Sequence, residues 1–165
     1  AIAELLAELG AVDVYVLPAS AAAQLIDARE KAFWMAKANG ANDVIDVVVP
    51  RAQIPEFMDK VGALAAEYEA WIAGCGHAGD GNLHVRIKKE GSKFSLNNQE
   101  VIPSLRALFE LVKSLGGTIS GEHGIGLIQK EYMDIVFSDT ELSLMKSIKH
   151  AFDPNQILNP GKMFR

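Results

Sequence analysis

Apolar residues recur at the spacing of an α-helix in several segments of the chain. In residues 21–38, and again in residues 53–66, alanine, leucine, isoleucine and other apolar residues stand three or four positions apart, as they do on the buried face of an amphipathic helix. Glycine follows several of these segments, and glycine ends helices because it adopts positive φ readily. The pattern predicts helices at residues 1–9, 21–38, 53–66, 99–115 and 141–152, a helix or turn at 125–132, and an irregular tail at 155–165.

Other segments are short and rich in β-branched residues, or alternate apolar and polar positions, which predicts strands. The last two of them are separated only by a turn rich in Gly, Asp and Asn, which favours a hairpin. Because these two strands are adjacent in the chain, the order is not that of a parallel doubly wound sheet. We therefore predict an α+β fold, with a ferredoxin-like antiparallel sheet flanked by helices and a C-terminal helical segment. The predicted strands are residues 12–17, 43–49, 68–75 and 83–87, followed by a charged turn at 88–93 and, later, a short extended piece at 118–120.

Length and composition indicate one folded domain. The chain has 165 residues, of which 49% are hydrophobic, and that is enough to build a core. Its net charge of −5 argues against nucleic acid as a partner. No apolar run reaches the roughly 18 residues of a membrane span, and no signal peptide is evident. We therefore expect a cytoplasmic location, or a peripheral one at the inner face of the membrane. The single cysteine, Cys75, fits a reducing compartment, and we predict it to be a small buried thiol.

Two glycine-rich segments carry the candidate chemistry. The first reads GHAGDGNLH and the second, later in the chain, reads SGEHGIG. Imidazole and carboxylate groups are ligands of divalent zinc, iron or manganese. His77 and His84 would face opposite sides of one straight strand, but a glycine turn between two paired strands can bring them together. We predict one metal site built from His77, His84 and Glu122. His123 would lie beside it as a proton-transfer group.

Most of these residues also have a purely structural interpretation. Glycine-rich turns often only reverse the chain, and Asp80 and Asn82 suit local side-chain bonds in such a turn. We expect His150, on the last predicted helix, to be a solvated surface residue. A phosphate-binding loop is disfavoured because neither segment has the lysine of a P-loop.

If the metal site is catalytic, its three protein ligands would leave positions open for the carboxylate and hydroxyl of a small hydroxy acid.

Three motifs, taken in order, resemble those of a known family. They are GHAGDGNLH, SGEHGIG with the LIQKEYM that follows it, and the closing FDPNQILNPGKMF. Together they are similar to the C-terminal domain of FAD-linked oxidases, a family that includes the glycolate oxidase FAD subunit, D-lactate dehydrogenases and D-2-hydroxyglutarate dehydrogenase. The motifs span residues 76–164, whereas the preceding residues match more loosely, through residues 27–30 and 46–50.

The resemblance implies oxidation of a D-2-hydroxy acid to a 2-oxo acid with reduction of FAD. It implies His77, His84 and Glu122 as ligands of a divalent metal, which would be zinc, manganese or iron. It implies His123 as the base that takes the hydroxyl proton. Arg29 resembles the arginine that binds the substrate carboxylate, for which a bidentate guanidinium is suited. The alternative for Arg29 is an ordinary charge on a helix surface.

The resemblance also concerns the flavin. Asn159 and Lys162, in the sequence NPGK, resemble residues that lie near the flavin. The family's N-terminal FAD-binding domain has no counterpart here, and the chain starts at Ala1 inside a helical pattern. We therefore expect residues 1–165 to be the C-terminal substrate- and metal-binding domain of a longer flavoenzyme, inactive alone because FAD is bound mainly by the other domain. The implied partners are that FAD domain, a small 2-hydroxy acid, and either other oxidase subunits or a second copy of the chain.

Two other functions fit the same residues. One is a non-catalytic metal-binding or regulatory module with a ferredoxin-like sheet. The other is a structural role for the histidines and glycines, with no metal bound. Replacing His77 with alanine separates these functions, because an enzyme would lose turnover with its fold intact whereas a structural residue would destabilise the fold.

Overall fold

The amphipathic segments of the sequence form the helices and strands that position the candidate site. The protein is described by a computed structural model, which covers residues 1–38, 45–89 and 102–164. The chain divides into two compact units, Ala1–Gly40 and Ala41–Arg165.

The described residues confirm the predicted α+β fold, since they form six α-helices and one antiparallel sheet of three strands. Two single-turn 3₁₀ helices, Arg51–Gln53 and Lys130–Tyr132, precede α3 and α5. The elements are α1 (Ile2–Glu8), α2 (Ala19–Ala38), β1 (Ile45–Val48), α3 (Ile54–Glu67), β2 (Ala70–His77), β3 (Asn82–Lys89), α4 (Ile102–Ser114), α5 (Met133–Val136) and α6 (Asp139–Phe152).

The sheet has the order β1-β3-β2, so β3 is its central strand. Both of its neighbours run antiparallel to it. His84 of β3 lies opposite Asp46 of β1 on one side and opposite Cys75 of β2 on the other. His77 pairs with Asn82 at the tight turn between β2 and β3. This pairing confirms the predicted hairpin.

Side chains alternate between the two faces of the sheet. On one face Val47, Val85 and Ile87 are buried, and they belong to one hydrophobic core with Phe57 of α3 and Phe109 of α4. The residues between them in the strands point to the opposite face because the side-chain period of a strand is two. Burial of the apolar face fixes the strand register. The same register therefore decides which polar residues meet on the other face.

Glycine is required at two positions of the β2–β3 hairpin. A Cβ atom on Gly76 would lie 2.3 Å from the carbonyl oxygen of Asn82 and 2.9 Å from Cα of Leu83, because the two backbones pass closely there. Gly81 has φ of +85°, and a Cβ on it would lie 2.1 Å from the carbonyl oxygen of Val49. Glycine alone meets both demands, so the hairpin can close against the end of β1.

Two predictions are wrong. Residues 12–17 do not form a strand but an irregular segment, in which Val12 and Val16 are 95% and 89% exposed. An alternating sequence makes a strand only if another strand supplies hydrogen-bond partners, and none of the described strands pairs with it. Cys75 is exposed, not buried, because the register puts it on the polar face and its strand, β2, lies at the edge of the described sheet.

The remaining elements agree with the sequence pattern. Thr118 forms a two-way backbone bridge with Val48, which confirms the predicted extended piece. The segment predicted as a helix or turn at 125–132 consists of turns that end in a 3₁₀ helix. His150 is exposed on α6, as predicted. Parts of the predicted strand at 43–49, of the charged turn at 88–93 and of the helix at 99–115 lie outside the described residues.

The structure also bears on membrane insertion. In the ranges that the structure describes, no helix has both the length and the apolar character needed to cross a bilayer.

Truncation of a core leucine should destabilise the domain strongly. Leu108 of α4 is fully buried, so Leu108→Ala should lower the free energy of unfolding by about 2–5 kcal/mol, measured by urea denaturation of the full chain. Leu144→Ala is the matched control. Leu144 of α6 is 61% exposed, and its truncation should cost about 0.5 kcal/mol or less. Equal losses in the two variants would contradict the core described here.

Two glycines of the same hairpin should differ in their tolerance of alanine. Gly76→Ala should destabilise the chain by roughly 1–3 kcal/mol or more, because its Cβ meets backbone atoms that cannot move without opening the hairpin. Gly79→Ala should be nearly neutral, because nothing lies within 4 Å of its Cβ. The melting temperatures of the two variants give the comparison. A loss at Gly79 as large as that at Gly76 would refute the hairpin geometry.

Candidate metal centre

The β2–β3 hairpin brings the first two candidate ligands together. His77 is the last residue of β2 and His84 is the third residue of β3. Since His77 lies opposite Asn82, and Asn82 and His84 are two positions apart on one strand, both histidines project from the same face of the sheet. Their ring centroids are 5.6 Å apart and their planes are nearly perpendicular. His77 and His84, which are seven positions apart in the sequence, are thus close together in the fold, as predicted.

Glu122 reaches the same point from a loop after α4. The loop begins at the bridge between Thr118 and β1 and then crosses the polar face. Oε1 of Glu122 lies 3.1 Å from Nε2 of His84 and 3.9 Å from Nε2 of His77. It also lies 3.2 Å from Nε2 of His123. Three imidazoles therefore converge on one carboxylate oxygen.

Three potential donor atoms lie close enough together to form a candidate metal site. One ligand atom from each of His77, His84 and Glu122 lies within 4.8 Å of the other two. Ligands of a tetrahedral ion at about 2.1 Å lie roughly 3.4 Å apart. Oε1 of Glu122 is near that spacing from Nε2 of His84 and of His77, at 3.1 and 3.9 Å, whereas the widest separation in the set, up to 4.8 Å, must shorten for one ion to bind all three atoms. His77 and Glu122 are about half exposed, whereas the side chain of His84 is only 10% exposed. His77 and His84 are thus held by strands of the sheet, and the donor set is accessible to solvent.

A buried carboxylate fixes the loop that carries Glu122 and His123. Oδ2 of Asp46 accepts hydrogen bonds from the backbone N–H groups of Gly121, Glu122 and His123, each at 2.8 Å, and from the hydroxyl of Ser120 at 3.2 Å. Burial raises the pKa of the Asp46 carboxyl, but these four hydrogen bonds outweigh burial and lower its pKa below the ordinary value. Asp46 is therefore a carboxylate at neutral pH.

The other oxygen of Asp46 faces the buried nitrogen of His84. Oδ1 of Asp46 and Nδ1 of His84 are 3.8 Å apart. Both atoms are buried, and neither has a hydrogen-bond partner. The side-chain oxygen of Asn82 is buried and unpartnered in the same region. Unsatisfied buried polar atoms are rare away from functional sites, so their presence beside these ligands is consistent with a binding site.

The other predicted site residues lie elsewhere in the chain. Arg29 is exposed on α2 in the first unit. Asn159 has φ of +49°, and its side-chain oxygen accepts a hydrogen bond from Nζ of Lys162 at 3.2 Å. Both line a cavity of about 310 Å³, together with basic residues of α6 that include Lys146 and Lys149. The structure brings together His77, His84, Glu122 and His123. Asn159 and Lys162 lie beside α6 instead, and Arg29 belongs to the other unit.

Sequence reasoning missed two polar residues of this face. Asp46 stands in an otherwise apolar strand, and Arg86 lies two positions after His84; they are 1% and 5% exposed. Charged residues are disfavoured inside strands and costly to bury. An acid inside the sequence VIDVVV was therefore an available signal for a residue with a specific partner.

Comparison with known proteins agrees with the motifs. The family model described as "FAD linked oxidases, C-terminal domain" matches residues 1–163. An uncharacterized FAD-linked oxidoreductase of Mycobacterium tuberculosis is 48% identical over 165 residues, which cover 99% of this chain and 34% of that protein. Glycolate oxidase subunit GlcD of Bacillus subtilis is 40% identical over 125 residues, covering 72% of this chain and 25% of the subunit. A D-lactate dehydrogenase of Anaerostipes hadrus is 35% identical over 164 residues, covering 97% of this chain and 34% of the enzyme.

The chain spans about a third or less of the length of these relatives. The family match, in contrast, extends over nearly every residue of the chain. The matched residues include the hairpin that carries His77 and His84 and the loop that carries Glu122. The chain therefore belongs to the family of C-terminal domains of FAD-linked oxidases.

Proposed function

We propose that this chain is the substrate- and metal-binding domain of an FAD-dependent dehydrogenase that oxidises a small D-2-hydroxy acid to the 2-oxo acid. The observation that carries the proposal is the convergence of three imidazole Nε2 atoms on one oxygen of Glu122, at 3.1, 3.2 and 3.9 Å. The names of the relatives agree with it, since they include a glycolate oxidase subunit and a D-lactate dehydrogenase.

His77, His84 and Glu122 would hold the metal. Two neutral imidazoles and one carboxylate suit zinc, manganese or iron, and a set of three leaves positions for substrate oxygens. Bound there, a divalent ion supplies Lewis acidity, which lowers the pKa of a coordinated hydroxyl. Anchoring on the sheet keeps the ligands in place before substrate arrives, which favours catalysis.

His123 would take the proton of the substrate hydroxyl. Its ring lies 5.1 Å from that of His84, centroid to centroid, so it adjoins the ligands without being in the candidate donor set. Its side chain is 52% exposed. A proton accepted by this imidazole can therefore pass on to solvent. Imidazole suits this task because its unperturbed pKa of about 6.5 lies near neutral pH.

The remaining parts of the reaction involve residues and partners outside the cluster. Arg29 would bind the substrate carboxylate, and Asn159 and Lys162 would contact the flavin. FAD, bound mainly by a separate N-terminal domain, would accept the hydride from the substrate carbon. The partners of this domain are therefore the FAD domain and the 2-hydroxy acid, with other oxidase subunits or a second copy of the chain as further partners.

Loss of two ligands should abolish metal binding without unfolding the protein. We expect the complete protein, dialysed against zinc or manganese and then against buffer, to retain about one equivalent of metal by elemental analysis. The His77→Ala/His84→Ala double variant should retain none, with an unchanged circular dichroism spectrum. His150→Ala is the control and should keep its metal, because His150 lies outside the donor set. A metal-free wild type would refute the proposed metal site.

His123 should affect turnover rather than metal content. In the complete flavoprotein, His123→Gln should slow flavin reduction by D-lactate or glycolate about 100-fold or more, because glutamine cannot accept the proton. Stopped-flow absorbance of the flavin measures the rate, and elemental analysis should find the metal still bound. An unchanged rate would remove His123 from the mechanism. A wild type that binds metal but shows no flavin reduction with any D-2-hydroxy acid would favour a non-catalytic metal-binding module.

A further inference from the structure

We propose that Asp46 is the positioning residue of this site, because its two oxygens hold the two halves of the site together. Oδ2 holds the loop with Glu122 and His123, and Oδ1 orients His84. The inference about metal affinity rests on the proposed function, whereas the inference about the loop does not. In this proposal Asp46 is neither a metal ligand nor a proton acceptor.

The first half of the role follows from the hydrogen bonds to Oδ2. Gly121, Glu122 and His123 are exposed, yet their three consecutive N–H groups all donate to one oxygen at 2.8 Å. Hydrogen bonds from several donors to a charged acceptor are stronger than those between neutral groups. Asp46 is itself fixed in β1, where the side-chain amide of Gln129 donates to its carbonyl oxygen at 2.9 Å. The loop is therefore attached to the sheet at the two residues that carry the chemistry.

The second half of the role follows from the position of Oδ1. It faces Nδ1 of His84 at 3.8 Å, and Nε2 of the same ring points to Glu122. A histidine that binds a metal through Nε2 carries its proton on Nδ1, and a carboxylate beside Nδ1 stabilises that tautomer and fixes the ring. A small closure of the 3.8 Å gap would satisfy two buried atoms that have no partner.

An asparagine at position 46 can do only one half of this work. In one orientation of the Asp46→Asn side chain, the amide oxygen accepts from the loop and the NH₂ group faces Nδ1 of His84. Nδ1 must then act as an acceptor, so the ring proton lies on Nε2, and a protonated Nε2 cannot bind a metal. If the amide is turned round, the NH₂ group faces three backbone N–H donors and repels the loop. Both orientations impair the site, although the substituted side chain has almost the same volume.

Asp153 provides a control of the same kind. It is 3% exposed, and its oxygens accept hydrogen bonds from the backbone N–H groups of Ile157 and Leu158 at 2.9 and 3.0 Å and from Lys149. Asp153→Asn therefore also removes a buried carboxylate that holds a backbone segment, but at the C-terminal end of α6 and not beside the metal ligands.

Two measurements on the complete protein test the inference. The first is amide hydrogen exchange of residues 121–123 without metal, and the second is titration with Co²⁺ followed by its visible absorption. In the wild type these three amides should exchange more slowly than is usual for the amides of exposed residues. In Asp46→Asn they should exchange at least about 10-fold faster, and the affinity for Co²⁺ should fall by about 10–100-fold. Asp153→Asn should change neither quantity.

Contrary results are distinguishable. Fast exchange of these amides in the wild type would overturn the loop attachment directly, even if Asp46→Asn failed to fold. Unchanged exchange and Co²⁺ affinity in a folded Asp46→Asn variant would overturn the whole inference. A wild type that binds no Co²⁺ would refute the proposed metal site, whereas amide exchange would still decide whether Asp46 holds the loop. Ser120→Ala, which removes one of the four bonds to Oδ2, should give a smaller acceleration of exchange in the same amides.

Discussion

The arrangement of the site depends on one buried negative charge in an apolar strand. Asp46 is 1% exposed, and an isolated carboxylate in such a place would be strongly unfavourable. Its charge is tolerated because one oxygen accepts four hydrogen bonds. The donors belong to consecutive residues of a single loop. The hydrogen bonds that compensate the charge therefore also fix the position of the loop. The site thus derives its geometry from a requirement of stability.

The sheet serves two purposes at once because its side chains alternate. The apolar face, with Val47, Val85 and Ile87, makes the core with α3 and α4. The intervening residues of the same strands supply Asp46 and His84 to the opposite face. A shift of one residue in the register would move the polar residues into the core. The burial of the apolar face therefore also keeps His84 opposite Asp46 and His77 opposite Asn82.

Much of this arrangement could be predicted from the sequence, and the exceptions have physical causes. The hairpin was predictable because its turn has a local signal in the Gly, Asp and Asn of GHAGDGNLH. The convergence of His77 and His84 followed from that turn. The role of Asp46 was missed because its partners come from a loop 77 residues away in the chain at the farthest, and no local pattern encodes such a contact. The wrong strand at 12–17 and the wrong burial of Cys75 have a similar origin, since both depend on which strand lies alongside. The identity of the metal could not be predicted, because zinc, manganese and iron share these ligand types.

The candidate ligands come from the β2–β3 hairpin and from a loop later in the chain. This arrangement affects the order in which the site can assemble during synthesis. The hairpin with His77 and His84 needs only neighbouring residues, and hairpins of this kind close within microseconds. Glu122 and His123 are translated later, and their loop reaches Asp46 through contacts between residues 75–77 positions apart in the chain. Closing such a long-range contact is slow compared with forming local structure. A nascent chain that ends before the loop would thus contain both hairpin imidazoles, but it would lack the carboxylate of Glu122 and the imidazole of His123. Completion of this cluster of His77, His84, Glu122 and His123 is therefore tied to completion of the tertiary fold.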